Sequence, residues 1–118
     1  MDQGLMLVGA ILVSLAAIFG ITLWGFEMAR KDFPQVLGFI HPTLAMAGLL
    51  MLVARFFIRG GVHWFNIGVL LLVGAAAGGL ILLVRGFRKR TMIRTVTVLH
   101  GAFGLAGLGF VIYQLTHR

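Results

Sequence analysis

The sequence predicts an all-α integral membrane protein, a four-helix bundle of up-down-up-down topology built from two tandem helical hairpins. The chain of 118 residues is 60% hydrophobic, has a mean hydropathy of +1.06 and contains only three acidic side chains. Its charged fraction is 11%, whereas soluble domains carry about 25% charged residues. Four apolar segments fill most of its length, each close to the roughly 20 residues that a helix needs to cross a bilayer.

The four predicted helices follow one another with short joints. They cover about residues 4–26, 33–54, 62–84 and 95–115. Because almost nothing is left over, we expect residues 1–118 to form a single transmembrane domain. The chain begins with MDQG, which is acidic rather than basic, and no cleavage pattern of small residues follows the first segment. We therefore expect that segment to stay in the mature protein instead of acting as a signal peptide.

The placement of the basic residues indicates an orientation. The net charge is +7, and seven of the ten basic side chains lie in or beside the joints near residues 27–33 and 85–94. Because cytoplasmic loops are enriched in Lys and Arg, we expect these joints in the cytoplasm and both termini on the non-cytoplasmic side, in a bacterial inner membrane. The charge then reflects topology and contact with the lipid bilayer, and we expect no nucleic-acid partner.

The second half of the chain resembles the first at an offset of 59 residues. This offset aligns His41 with His100, and IHPTLAMAGL at 40–49 with LHGAFGLAGL at 99–108. We expect pseudo-repeats 1–59 and 60–118 with the same orientation, since each contains two spans. The offset also pairs Asp32 with Thr91, both favourable N-cap residues. Helices that start there would place each histidine nine residues in, about 13 Å along the axis and at one depth.

The two aligned histidines are the strongest candidates for a metal site. A polar side chain inside a membrane span is costly and indicates a function by default. Neutral imidazole is a common ligand of haem iron and other metals. In this topology helices two and four are diagonal, about 13 Å apart, which suits two imidazoles with one metal between them. We therefore predict that His41 and His100 ligate one metal centre.

Small residues recur four and seven positions after each histidine, on the same helix face. They are Ala45, Gly48, Gly104 and Gly107. Such residues would leave a groove beside each imidazole, wide enough for a flat macrocycle. The same pattern also lets membrane helices pack closely, which is the commoner reason for it, and a lone histidine is often satisfied by a neighbouring carbonyl or hydroxyl.

The two histidines and their flanking small residues, set in four spans, resemble the membrane b-type cytochromes, the cytochrome b561-like four-helix bundles. The resemblance is one of architecture and covers all four spans. It implies one haem b with His41 and His100 as axial ligands, and electron transfer within or across the membrane, often with quinone. The chain has no cysteine, so the haem would be non-covalent. A second well-buried histidine pair is missing, so a single haem is implied.

Basic residues on the predicted inner side would face the propionates of such a haem. They are Arg88, Lys89, Arg90 and Arg94. For any one of them, the preference for positive charge on the cytoplasmic side is the commoner explanation. His63 and His117 fall near the predicted outer surface, and whether they form a second site stays open.

Two further functions stay open beside the electron-transfer protein. The histidines would suit a chlorophyll-binding subunit of a photosynthetic complex, with one imidazole for each magnesium. Alternatively, the chain is a structural or assembly subunit without a cofactor. No phosphate loop, zinc-protease motif or paired carboxylate supports hydrolysis or group transfer. We therefore expect an electron carrier or a subunit of a redox complex rather than a free-standing enzyme, with other membrane subunits or a second copy as partners.

Overall fold

The computed structural model describes residues 2–59, 63–87 and 93–117. These residues form four α-helices: α1 (Asp2–Met28), α2 (Gln35–Arg59), α3 (His63–Phe87) and α4 (Arg94–Thr116). Each helix is long and apolar enough to cross a membrane. The predicted all-α class and the four predicted apolar helices are therefore confirmed. Membrane insertion and the up-down-up-down order stay predictions.

The chain divides into two compact units, Met1–Gly60 and Gly61–Arg118, and we describe each by itself. In the first, α1 packs against α2, and in the second, α3 packs against α4. The boundary between the units lies one residue from the predicted boundary between the two pseudo-repeats. A single domain over residues 1–118, with α2 and α4 on its diagonal, stays a prediction.

The second helix of each hairpin begins at an equivalent position. α2 begins at Gln35 and α4 at Arg94, which are 59 residues apart. The predicted N-cap at Asp32 is wrong, because Pro34 disfavours the helical conformation of Phe33 and the helix begins only after it. The other predicted cap, Thr91, lies outside the described residues. Each histidine is therefore six residues from the start of its helix, about 9 Å along the axis.

The buried apolar positions of the two hairpins correspond one to one. Among its described residues each hairpin buries six apolar side chains, and every pair is separated by 59 residues: Met6 and Phe65, Ala10 and Val69, Val13 and Leu72, Ala16 and Ala75, Leu49 and Leu108, Leu52 and Val111. Glycines bring the two backbones of each hairpin together. A Cβ built on Gly48 would lie 2.9 Å from the carbonyl oxygen of Gly9, and one on Gly107 would lie 2.8 Å from that of Gly68. Later positions of the first helix meet earlier positions of the second, since Gly9 meets Gly48 whereas Gly20 meets His41, so α1 and α2 run antiparallel. The equivalent contacts show the same for α3 and α4.

The surface of each hairpin is strongly apolar. Leu50 on α2 is 60% exposed and Leu70 on α3 is 75% exposed, and many other large apolar side chains are also accessible. Among the described residues, no polar or charged side chain is buried. An apolar exterior of this extent is compatible with an integral membrane protein, because lipid covers such a surface without cost.

The joint between α1 and α2 is a tight C-terminal turn. The N–H of Lys31 donates to the carbonyl of Phe26 and the N–H of Arg30 donates to that of Glu27, both at 3.0 Å. This pair of bonds is the Schellman motif, whose left-handed residue is usually glycine. Here the left-handed residue is Arg30, with a φ of 56°. The turn satisfies the last carbonyls of α1 and reverses the chain within a few residues.

Candidate cofactor-ligating histidines

His41 lies half-buried on α2 and is oriented by the neighbouring helix α1. Its Nδ1 is 2.7 Å from the carbonyl oxygen of Ala16. A carbonyl oxygen accepts hydrogen bonds and donates none, so Nδ1 must carry the proton. In the neutral imidazole the lone pair then belongs to Nε2, the nitrogen through which such a side chain would ligate a metal.

His100 repeats this arrangement in the second hairpin. Its Nδ1 is 2.7 Å from the carbonyl oxygen of Ala75, and it too is half-buried. In both hairpins the histidine follows its acceptor by 25 residues. The two acceptors, like the two histidines, are 59 residues apart. One imidazole with a defined tautomer is thus a feature of each hairpin.

A glycine lies beside each imidazole, one helical turn after the acceptor. A Cβ built on Gly20 would lie 2.8 Å from Cε1 of His41, and one on Gly79 would lie 2.9 Å from Cε1 of His100. The rings therefore occupy space that any other residue type would fill. These glycines and the two alanine acceptors are not among the residues predicted from sequence, although extending the 59-residue offset into α1 and α3 aligns all four of them.

The predicted small residues lie on the histidine face, and that face packs against the other helix of the same hairpin. Gly48 contacts Gly9 and Val13, and Gly107 contacts Gly68 and Leu72. Close approach of two helices is sufficient to explain these two glycines. A Cβ on Gly104 would lie 3.8 Å from the Cβ of Ala75, and Ala45 is half-buried. A role for the four residues beside a macrocycle stays a prediction.

Arg94 is the first residue of α4 and is exposed. It precedes His100 by six residues, so the two Cα atoms are separated by about 9 Å along the axis. The other inner cations, residues 88–90, lie outside the described residues. The contact of Arg94 with a propionate stays a prediction.

His63 and His117 flank a group of aromatic side chains at one end of the second hairpin. Trp64 stacks on Phe110, with ring centroids 5.7 Å apart, and meets Tyr113 edge-on at 5.8 Å. His63 lies edge-on to Trp64 at 4.8 Å, and His117 stacks on Tyr113 at 4.0 Å. We call these five residues the terminal aromatic cluster. Within the described part of the chain, no three His, Cys, Asp or Glu side chains come close enough to hold a metal ion.

The repeated imidazole, carbonyl and glycine form the candidate site, because in both hairpins they define the orientation of an imidazole that could ligate a metal. The arrangement can hold a proton on Nδ1 and present Nε2 as a base or a metal ligand. Comparison of the chain with protein-family models, with curated proteins and with solved structures finds no match.

Proposed function

We propose that the protein is a membrane electron-transfer protein, or a subunit of a redox complex, that binds one non-covalent haem b through His41 and His100. The observation that carries the proposal is the Nδ1–H bond to a backbone carbonyl, made at 2.7 Å by both histidines. Metal-ligating histidines typically donate their other ring N–H to a carbonyl or carboxylate. This bond fixes the tautomer and the ring orientation and makes the ligating nitrogen more basic.

The chemistry of these side chains would suit a haem with two histidine ligands. The two imidazoles share one tautomer, and the chain has no cysteine to serve as a thiolate ligand. When bound, haem iron would accept and donate single electrons, with a potential set by its axial ligands and by burial. The protein's own residues would bind and orient the group, exclude water with apolar helices, and place Arg94 on the propionate side.

The membrane setting of this function is also part of the proposal. Four apolar helices support an integral membrane protein, and the position of the basic residues supports an up-down-up-down bundle with both termini on the non-cytoplasmic side of a bacterial inner membrane. Electrons would be exchanged with quinone, with other membrane subunits or within a homo-oligomer, since the helices account for nearly all of the described residues.

A second function, that of a structural subunit without a cofactor, is favoured by a different feature of the same site. Each histidine bond joins the two helices of a hairpin, and buried glycines bring those helices into backbone contact. Hydrogen bonds between membrane helices stabilise a pair by about 0.6 kcal/mol on average. The bonds would then serve helix association alone.

Absorption spectroscopy separates these functions. The protein would be purified in detergent, titrated with haemin and measured oxidised and reduced, beside His41→Ala, His100→Ala and the control His63→Ala. We expect sharp reduced α and Soret bands in the wild type and in the control, and their loss in either of the other variants. A folded protein that binds no haemin would overturn the proposal in favour of the structural subunit, and a far-red band in protein from its native membrane would indicate a chlorophyll.

A further inference from the structure

The position of each glycine relative to the histidine acceptor has a simple geometric origin. In an α-helix the carbonyl of a residue points toward the residue four positions later and accepts its N–H. The carbonyl of Ala16 therefore points toward Gly20, and that of Ala75 toward Gly79. A second donor that reaches such a carbonyl from the side of the later residue passes the Cβ position of that residue, as the imidazoles do here. Only glycine leaves that position open.

A methyl group at these two glycines would collide with the imidazole rather than with the backbone. The nearest atoms to a Cβ on Gly20 are Cε1, Nδ1 and Nε2 of His41, at 2.8, 3.2 and 3.4 Å. Around Gly79 the same three atoms of His100 lie at 2.9, 3.3 and 3.7 Å. These atoms form the end of a side chain that can rotate. The ring would therefore move away and the helices would stay in place.

Other glycines in the same hairpins provide the contrast. A Cβ on Gly48 or Gly107 would meet a backbone oxygen of the facing helix, which has no rotamer to change. A Cβ on Gly25 in α1 or Gly101 in α4 would meet nothing within 4 Å. The contact with the imidazole at its Cε1 edge thus distinguishes Gly20 and Gly79 from glycines that serve helix packing.

We propose that Gly20 and Gly79 are positioning residues for the two histidines. By lacking a Cβ they allow His41 and His100 to donate from Nδ1 to the carbonyls one turn earlier, and this bond assigns the lone pair to Nε2. This orientation of the imidazoles does not require a cofactor, whereas the consequence for a bound haem rests on the proposed function. There, displacement of either ring would weaken an axial ligand and shift the redox potential.

The test uses the haem-free protein with isotope-labelled histidine in lipid nanodiscs, at alkaline pH where imidazole is neutral. Nitrogen chemical shifts report which ring nitrogen carries the proton. We expect His41 and His100 in the Nδ1–H form in the wild type and in the controls Gly25→Ala and Gly101→Ala. Gly20→Ala should convert His41 alone to a mixture of tautomers, and Gly79→Ala should do the same to His100 alone.

Retention of the Nδ1–H form in both Gly20→Ala and Gly79→Ala would overturn the proposal. Far-UV circular dichroism shows whether each variant is folded. If a variant does not fold, the wild-type spectrum still tests whether both histidines are in the Nδ1–H form. A mixture of tautomers at His41 and His100 in the wild type would also overturn the proposal.

A haemin titration of the same samples separates this proposal from the function on which it partly rests. If the tautomers respond as expected and the wild type binds no haemin, the positioning role stands and the proposed function fails. If haem binds, but Gly20→Ala and Gly79→Ala keep both histidines in the Nδ1–H form and keep the wild-type midpoint potential, the positioning role fails while the proposed function stands.

Discussion

The hairpins α1–α2 and α3–α4 bury the same positions, but they fill only some of them with the same residue type. Met6 corresponds to Phe65 and Leu52 to Val111, so these positions require only apolar volume. The histidines, their alanine acceptors and the buried glycines are instead identical in the two hairpins. This difference separates positions where volume matters from positions where one defined contact matters. The imidazole site belongs to the second kind.

The two hairpins differ most at one end and next to the histidine. The terminal aromatic cluster of the second hairpin has no counterpart in the first, where the equivalent residues are Gly4, Leu5, Met51, Ala54 and Ile58. Beside His41, Pro42 lies inside α2, whereas the equivalent residue is Gly101, where a built Cβ would meet nothing within 4 Å. The histidine bond has the same length in both hairpins despite this change. The bond therefore does not depend on the proline.

The largest expected effect comes from emptying the buried core. Leu52 and Val111 occupy equivalent positions and are both fully buried. We expect Leu52→Ala to lower the free energy of unfolding by about 3 kcal/mol and Val111→Ala by about 2 kcal/mol, because the leucine leaves the larger cavity. Titration with a denaturing detergent in mixed micelles measures both. Equal losses, or a larger loss for Val111→Ala, would show that the two cores are not packed alike.

The second prediction concerns the backbone contacts that the hairpins share. A methyl at Gly48 or at Gly107 would overlap a carbonyl oxygen, so Gly48→Ala and Gly107→Ala should each destabilise by about 2 kcal/mol. Gly101→Ala is the control, because its methyl meets no atom and alanine favours the helix by about 1 kcal/mol over glycine. In the same detergent titration, the free energy of unfolding should rise for the control and fall for the two variants. Two variants as stable as the wild type would contradict the close approach.

These residues also show what sequence could predict. Four spans follow from apolar length, and the paired histidines follow from the repeat, so α1 to α4 and the ligand candidates were accessible. The acceptor of each histidine was not, because every residue has a carbonyl and Ala16 carries no side-chain signal for accepting a bond. For Gly48 the sequence leaves both a groove beside a macrocycle and close helix packing open, since composition alone does not tell which neighbour a small residue faces.

The third prediction tests the end at which the hairpins differ. Trp64→Leu gives the second hairpin the residue type that the first has at Leu5, and it removes the stack on Phe110. The free energy of unfolding should fall by about 1 kcal/mol. The reverse change, Leu5→Trp, should give no matching gain, since Met51 offers no ring. Both are measured by thermal unfolding followed by circular dichroism. An equal gain from Leu5→Trp would mean that the aromatic stack is not the source of the effect.

A fourth effect, no larger than the third, is expected in the turn of the first hairpin. Arg30 adopts a φ of 56° at the position where a Schellman motif prefers glycine. Arg30→Gly should raise the free energy of unfolding by about 1 kcal/mol, because a left-handed residue with a Cβ is strained. Arg30→Ala also removes the charge but keeps the Cβ, so it should give no gain. A gain from both variants would assign the effect to charge, whereas a gain from glycine alone identifies backbone strain that the first hairpin tolerates in its turn.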